Sequence, residues 1–178
     1  EKKYFYKMKK IKIILIIIST IVVVFLLTGL VVKETTYIAE VTVNKSIKEV
    51  FEVFNNSENI KNWVPEVKSF EVVNKNPGKT GSVYKIVIDN KGQEVTMTEK
   101  VMAYVPNEKV TLFFDAEGML KRDDYIFKEK DGVTTITLNT SCQSDSYILA
   151  CIFPYFKGTL QKQDQSYLNN FKAFAEKE

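Results

Sequence analysis

The stretch that most restricts this chain is Ile13 to Val32, twenty consecutive residues without a charge, in which only Ser19, Thr20 and Thr28 carry polar side chains. A helix of that length rises about 30 Å, the thickness of a bilayer core. Its many β-branched residues make it a mediocre helix in water. In hydrocarbon, however, every backbone N–H and C=O has to be satisfied within the segment, which leaves the helix as the only conformation. A buried strand would stop after about four to eight residues. Residues 13–32 therefore read as one transmembrane helix.

The flanks orient it. Lys2, Lys3, Lys7, Lys9, Lys10 and Lys12 precede the run, whereas Lys33 and Glu34 follow it. Because cytoplasmic flanks carry the excess of Lys and Arg, residues 1–12 are expected in the cytoplasm and the remainder outside, in the periplasm or at the cell surface. A cleaved signal peptide shares the basic start and apolar run, and Met8 would begin a conventional basic n-region. The run exceeds the usual ~7 to 15 residues and no small-x-small cleavage site follows, which favours an uncleaved anchor.

Charge partitions with the anchor. Residues 1–12 hold six Lys and one Glu; removing them from the totals of 25 basic and 22 acidic side chains leaves 19 and 21. The alkaline character belongs to the membrane flank, so a nucleic-acid partner is not expected. Histidine is absent, which removes Ser-His and Cys-His nucleophile pairs, histidine-ligated zinc and a histidine general base. The seven glycines are scattered and form no phosphate-cradling loop. Cys142 and Cys151 are too few for a thiolate cluster and too far apart for a CxxC pair. They are open to two readings, a disulfide or two buried small apolar residues. No cofactor or metal is expected.

After the anchor, Thr36 to Asn44 alternates and reads as a strand beginning only a few residues from the membrane. Ser46-Ile47-Lys48-Glu49 fits a capping box, and Ile47, Val50, Phe51 and Phe54 recur at helical spacing, giving a short helix that ends near Asn55 and Asn56. Ser57 can cap a second helix carrying Ile60 and stopping at Trp63-Val64-Pro65. Then the period changes to two. Ser69–Asn74, Ser82–Asp89, Gln93–Val105, Lys109–Ala116, Leu120–Lys130 and Val133–Cys142 alternate, separated by turn residues such as Lys91-Gly92, Glu117-Gly118 and Asp131-Gly132. Short separators make each strand antiparallel to the last, so seven strands are expected in one meander. Pro154 breaks a helix in the apolar Ser146–Phe156 stretch or begins a new one. Beyond it Phe156, Leu160, Tyr167, Leu168, Phe171 and Phe174 share a broad helical face that the sheet must bury.

This order, an α+β arrangement, resembles the helix-grip fold of the SRPBCC superfamily, which includes START-type lipid-transfer domains, polyketide cyclase-like proteins and birch-pollen-allergen relatives. The resemblance rests on Val43-Asn44-Lys45-Ser46-Ile47-Lys48-Glu49-Val50-Phe51, Trp63-Val64-Pro65-Glu66-Val67, Gly78 with Gly81, Gly132-Val133-Thr134-Thr135 and Leu168-x-x-Phe171-Lys172, and it covers residues 36–178. It implies an elongated cavity between the sheet and the last helix that takes an apolar ligand, a lipid or another hydrophobic small molecule. Members with a membrane helix directly before the domain are also similar. With no histidine and few inward polar groups, cyclase or dehydrase residues cannot be carried over one by one.

Alternation sketches the cavity wall. The phases Val95, Met97, Glu99, Val101; Asp123, Tyr125, Phe127; and Ile136, Leu138, Thr140, Cys142 face inward, with Phe156, Leu160, Tyr167 and Phe171 opposite and Trp63 either closing the helix-to-strand corner or forming a lip. Met97, Tyr125 and Phe127 equally suit plain core. Glu99 or Asp123 inside an apolar wall is either functional or turned outward by a β-bulge, and the rarity of unpaired buried carboxylates favours the surface. Phe153, Tyr155 and Phe156 read as core or as membrane-contacting aromatics. The favoured function is a non-catalytic, membrane-anchored binding module. The alternatives are a cyclase- or dehydrase-like enzyme with Glu99 or Asp123 as base and Tyr125 as donor, and an interaction domain.

Overall fold

A computed structural model describes residues 2–178, with the side chains of residues 2–5 and 7 outside that description, so Lys2, Lys3 and Lys7 of the basic flank are not placed. Helix α1 runs from Lys2 to Val31 and extends through the flank into the apolar run. Its stretch Met8–Val31 is long and apolar enough to cross a membrane and is almost wholly unburied by the rest of the chain.

Strand β1, Thr35–Val43, begins one residue earlier than its pattern suggests and alternates strictly between buried and exposed positions. Helix α2, Ile47–Asn55, starts with the capping box: the Ser46 side chain accepts from the Glu49 N–H, and the Glu49 carboxylate accepts from the Ser46 N–H. The following turn is capped by Asn56 rather than Ser57, whose place is inside a single 3-10 turn leading into α3, Ile60–Trp63. Six strands follow, β2 (Val67–Asn74), β3 (Val83–Asn90), β4 (Gln93–Val105), β5 (Lys109–Ala116), β6 (Met119–Lys130) and β7 (Val133–Ser144). All seven form one antiparallel sheet in the order β1-β7-β6-β5-β4-β3-β2. The β6–β7 turn places both Asp131 (φ 53°) and Gly132 (φ 76°) in the left-handed region, the geometry of the two-residue hairpin.

Helix α4 is continuous from Tyr147 to Ala175 and contains Pro154. The expected break does not occur. Proline removes an N–H and crowds the preceding turn, a cost of about 3 kcal/mol, but Cys151 and Phe153 within that turn are buried and hold it in place. Further along, Gln161 and Gln165 donate to the carbonyls of Ile38 and Glu40, both at 2.8 Å or less, so α4 also covers the free edge of β1. The principal core joins α4 (Leu168, Phe171, Ala175) to β1, β6 and β7 and to α2 and α3 through Phe51 and Trp63.

Candidate functional site

Between the inner face of the sheet and α4 lies a cavity of about 270 Å³. Its exposed lining residues are Asn56, Ser57 and Gln163, which gives it a polar rim; the remainder of the wall is mostly apolar. Trp63, Met97, Glu99, Val101, Asp123, Tyr125, Leu160 and Tyr167 line it. One end is aromatic: Phe54 lies 4.8 Å from Tyr125 and 5.7 Å from Trp63 between ring centroids.

Other expected wall residues lie elsewhere. Phe127, Ile136, Leu138 and Phe171 are sealed in the principal core, because α2 lays Phe51 and Phe54 over that part of the sheet and closes the space. Val95 shares the inward phase of β4 but is only half-buried and lies outside the cavity, near the strand's start. Phe156 is 54% exposed on α4, one turn before Leu160, where the cavity lining on that helix begins. Thr140 is buried but does not line the cavity; its hydroxyl supports Asp123.

Both doubtful carboxylates are inside, against the surface reading favoured by their residue type. Glu99 is 6% exposed and Asp123 1% exposed. No bulge rotates them: the β4 irregularity falls after Val101, beyond Glu99, and β6 pairs without interruption from Met119 to Lys130. Asp123 is compensated. Lys121 Nζ lies 2.8 Å from its Oδ2 and 2.9 Å from Asp164 Oδ2, so one lysine joins β6 to α4. Thr140 donates to Asp123 at 2.7 Å and Tyr37 donates to Asp164 at 2.8 Å. Burial raises the Asp123 carboxyl above its ordinary range, Lys121 opposes the shift, and Asp164 adds to it. Burial by itself would lower the Lys121 ammonium, but Asp123 and Asp164 outweigh that and hold it above its usual value.

Glu99 is different. It has no hydrogen-bond partner among the described residues, and burial, followed by the nearby Asp123 charge, pushes its carboxyl up to about 8. Near neutral pH this group is a protonated carboxyl facing an apolar cavity, able to give or take a proton or a hydrogen bond. Cys142 is a buried free thiol, as is Cys151; burial pushes the Cys142 thiol up to about 11 and makes it a poor nucleophile. Among the described residues no three His, Cys, Asp or Glu side chains are grouped as a metal-ligand set.

No protein-family model and no curated protein sequence matches the chain. Solved structures do. The Zhui aromatase/cyclase from Streptomyces sp. R1128 superimposes with a TM-score of 0.69 at 15% identity, covering 80% of this chain and 94% of that one. Ara h 8.0201 gives 0.65 at 13% identity over 82% and 99%, and the di-domain ARO/CYC StfQ of the steffimycin biosynthetic pathway gives 0.66 at 11% over 81% and 52%. The fold is the helix grip.

Within that helix grip, Lys121, Asp164 and Tyr37 are the site residues that alternation and the helical stripe did not single out. Each carries a signal nonetheless. Lys121 shares the phase of Asp123 and Tyr125, and Tyr37 the inward phase of β1. Asp164 lies one helical turn from both Leu160 and Leu168, on the buried stripe.

Proposed function

We propose that the chain is a membrane-anchored binding module that holds an apolar small molecule or single-chain lipid between the sheet and α4. In this reading α1 spans the bilayer with its N-terminus in the cytoplasm, and the helix-grip domain stands outside, tethered by the short Val32–Glu34 link. One observation carries it: a mostly apolar cavity remains open inside a domain whose other core positions are filled. Its volume is near the lower limit of ligand sites, roughly 300 Å³, which suits one chain or a small ring system better than a two-chain lipid. The likeness to an aromatase/cyclase supports the fold and leaves chemistry to the site itself.

The test is solvent extraction and native mass spectrometry of the full chain purified in mild detergent, beside a Leu112→Trp variant that fills the cavity wall. An apolar compound bound to the wild type and absent from the folded variant is the expected result; no co-purified compound and no binding of an apolar fluorophore would overturn the reading. A second reading has its own observation. Glu99, unpaired and pushed up to about 8, has the properties of a general acid or base near neutral pH. Turnover of a bound polyketone that disappears in Glu99→Gln would establish it, and binding without turnover would remove it.

A further inference from the structure

We propose that the cavity is built for an apolar molecule ending in a protonated amine, with Glu99 as the partner of that amine. This rests on the binding-module reading. Glu99 is 6% exposed, lines the cavity between Met97 and Val101 on the inward phase of β4, and lacks a partner among the described residues. The other buried acids at that end are occupied: Asp123 holds Lys121 and Thr140, and Asp164 holds Lys121 and Tyr37. Two carboxyl groups thus share one ammonium, and Lys121 is already engaged by both. A carboxylate ligand would meet repulsion there. A neutral hydroxyl would meet Glu99 through an ordinary hydrogen bond, whereas an ammonium meets its carboxylate through a charge-assisted one and leaves the layer no more negative than before. As the ammonium docks, the Glu99 proton leaves to solvent, so the pair forms as ammonium and carboxylate. Lys79, held by Asn55 at 3.2 Å and lying over the Tyr104 ring near the rim, offers the competing site for an acidic ligand.

The probes are decylamine, decanol and decanoate, each displacing the neutral fluorophore N-phenyl-1-naphthylamine from the full chain in zwitterionic nanodiscs, with empty nanodiscs subtracted. The amine is expected to bind about tenfold or more tighter than the alcohol, with decanoate weakest, and Glu99→Gln to weaken the amine far more than the alcohol. If decanol or decanoate binds as tightly as the amine, or the variant weakens all three alike, the amine assignment fails while the binding reading stands. If the fluorophore and all three probes fail to bind, both fail.

A second inference stands on different residues. We infer that the first turns of α4 are seated in the outer leaflet of the membrane that α1 spans. Tyr147 donates its hydroxyl to the Leu26 carbonyl, Tyr155 Oη is 2.8 Å from Thr28 Oγ1, and the Phe25 and Tyr155 rings stack with centroids 6.1 Å apart. Gly29 permits the approach, since a Cβ there would collide with Cys151 Sγ. Leu26 and Gly29 precede Val32 by six and three residues, which puts them about 5–9 Å inside the apolar boundary. Whatever packs on them shares that depth. The rest of the same α4 segment is suited to it: Ile148 and Phe156 are each more than half exposed, and Lys157 follows at the level where a charged head can reach water.

Tryptophan placed at Ile148 or Phe156 in the full chain, reconstituted with lipids brominated on their acyl chains, reads the depth directly. Trp63 is the sole native tryptophan and is buried, so its contribution can be subtracted. Ile148→Trp and Phe156→Trp are expected to be quenched as Ile17→Trp in α1 is, while Val73→Trp, exposed on β2, is not. Quenching at 148 and 156 no greater than at 73 overturns the inference with α1 still spanning; an unquenched Ile17→Trp removes the spanning helix and the inference with it.

Discussion

Lys121→Met tests whether the buried ion network holds the fold together. The substitution keeps an unbranched side chain of similar reach and deletes the charge. It leaves Asp123 and Asp164, with side chains 2% and 7% exposed, facing each other across Thr140 without a cation. Removing one partner of a buried pair costs about 3–5 kcal/mol, because the orphaned charge remains desolvated. For a domain of this size that corresponds to a fall in Tm on the order of 10 °C. The pH dependence has a definite sign. Burial already raises the Asp123 carboxyl and Lys121 opposes that shift, so without Lys121 its folded-state value lies further above the unfolded one; the variant is least impaired below the ordinary carboxylate range and loses stability as pH rises from there toward the shifted value. Adding Asp123→Asn and Asp164→Asn to Lys121→Met restores most of the loss. Thermal unfolding of the full chain in detergent, followed by circular dichroism, measures all three. A loss under about 1 kcal/mol at neutral pH, or a deficit that does not shrink on acidification, would refute the network as a structural element.

Three further outcomes are expected. Glu99, pushed up to about 8, makes the wild type lose up to about 1.4 kcal/mol per pH unit between the ordinary glutamate range and pH 8, because there the unfolded chain's carboxyl ionises while the buried one keeps its proton; Glu99→Gln flattens that part of the stability profile, and an unchanged slope contradicts the assignment. Ser46→Ala removes the side-chain half of the α2 capping box and lowers stability by about 1 kcal/mol in chemical denaturation, with Ser46→Gly milder. Gly29→Leu forces α1 away from Cys151, so a thiol that is fully buried becomes reactive to maleimide while Cys142, inside the domain, stays protected; unchanged labelling of Cys151 would show that the two helices do not pack as described.

Much of this architecture was readable because the chain punctuates itself. The two-residue Asp131-Gly132 turn fixes the β6–β7 register, and counting back from it sets Asp123 opposite Thr140 and Lys121 opposite Cys142. The same count from Lys91-Gly92 sets Glu99 opposite Tyr84. The phases of Glu99 and Asp123 were thus legible. Their burial was not: that of Asp123 depends on a lysine two residues away and an aspartate on a helix at the far end of the chain, that of Glu99 on a cavity left open beside it, and residue type alone argues for the surface. The extent of the cavity was also hidden. Phe127, Ile136, Leu138 and Phe171 have the same inward pattern as Met97 and Val101; only the position of α2 over one part of the sheet separates core from wall. Continuity of α4 through Pro154 follows likewise from burial of Cys151 and Phe153, which proline's local preference cannot report.

The register also orients the site relative to the anchor. β1 starts four residues after α1, and Tyr37 near its start pairs with Thr140, which in turn pairs with Asp123. The charged layer therefore lies toward the α1 end of the domain, and the aromatic group of Phe54, Trp63 and Tyr125 lies farther along α4, where Trp63 meets Phe171. Between the charged layer and the first turns of α4 stands one small apolar cluster, Tyr37, Cys142 and Phe153 with Met119, Leu149 and Leu160. Met119 and Leu160 belong to the cavity wall as well. An amphiphile bound with its amine at Glu99 would point its tail away from the bilayer, opposite to a lipid of the adjoining leaflet. Direct sliding from leaflet to cavity would then require the charged head to cross the apolar cluster first, whereas entry past the Asn56, Ser57 and Gln163 rim leads the head inward through a polar opening. With α1 spanning the bilayer as proposed, that asymmetry favours ligand capture from the aqueous side, at a distance from the membrane set by the Val32–Glu34 link.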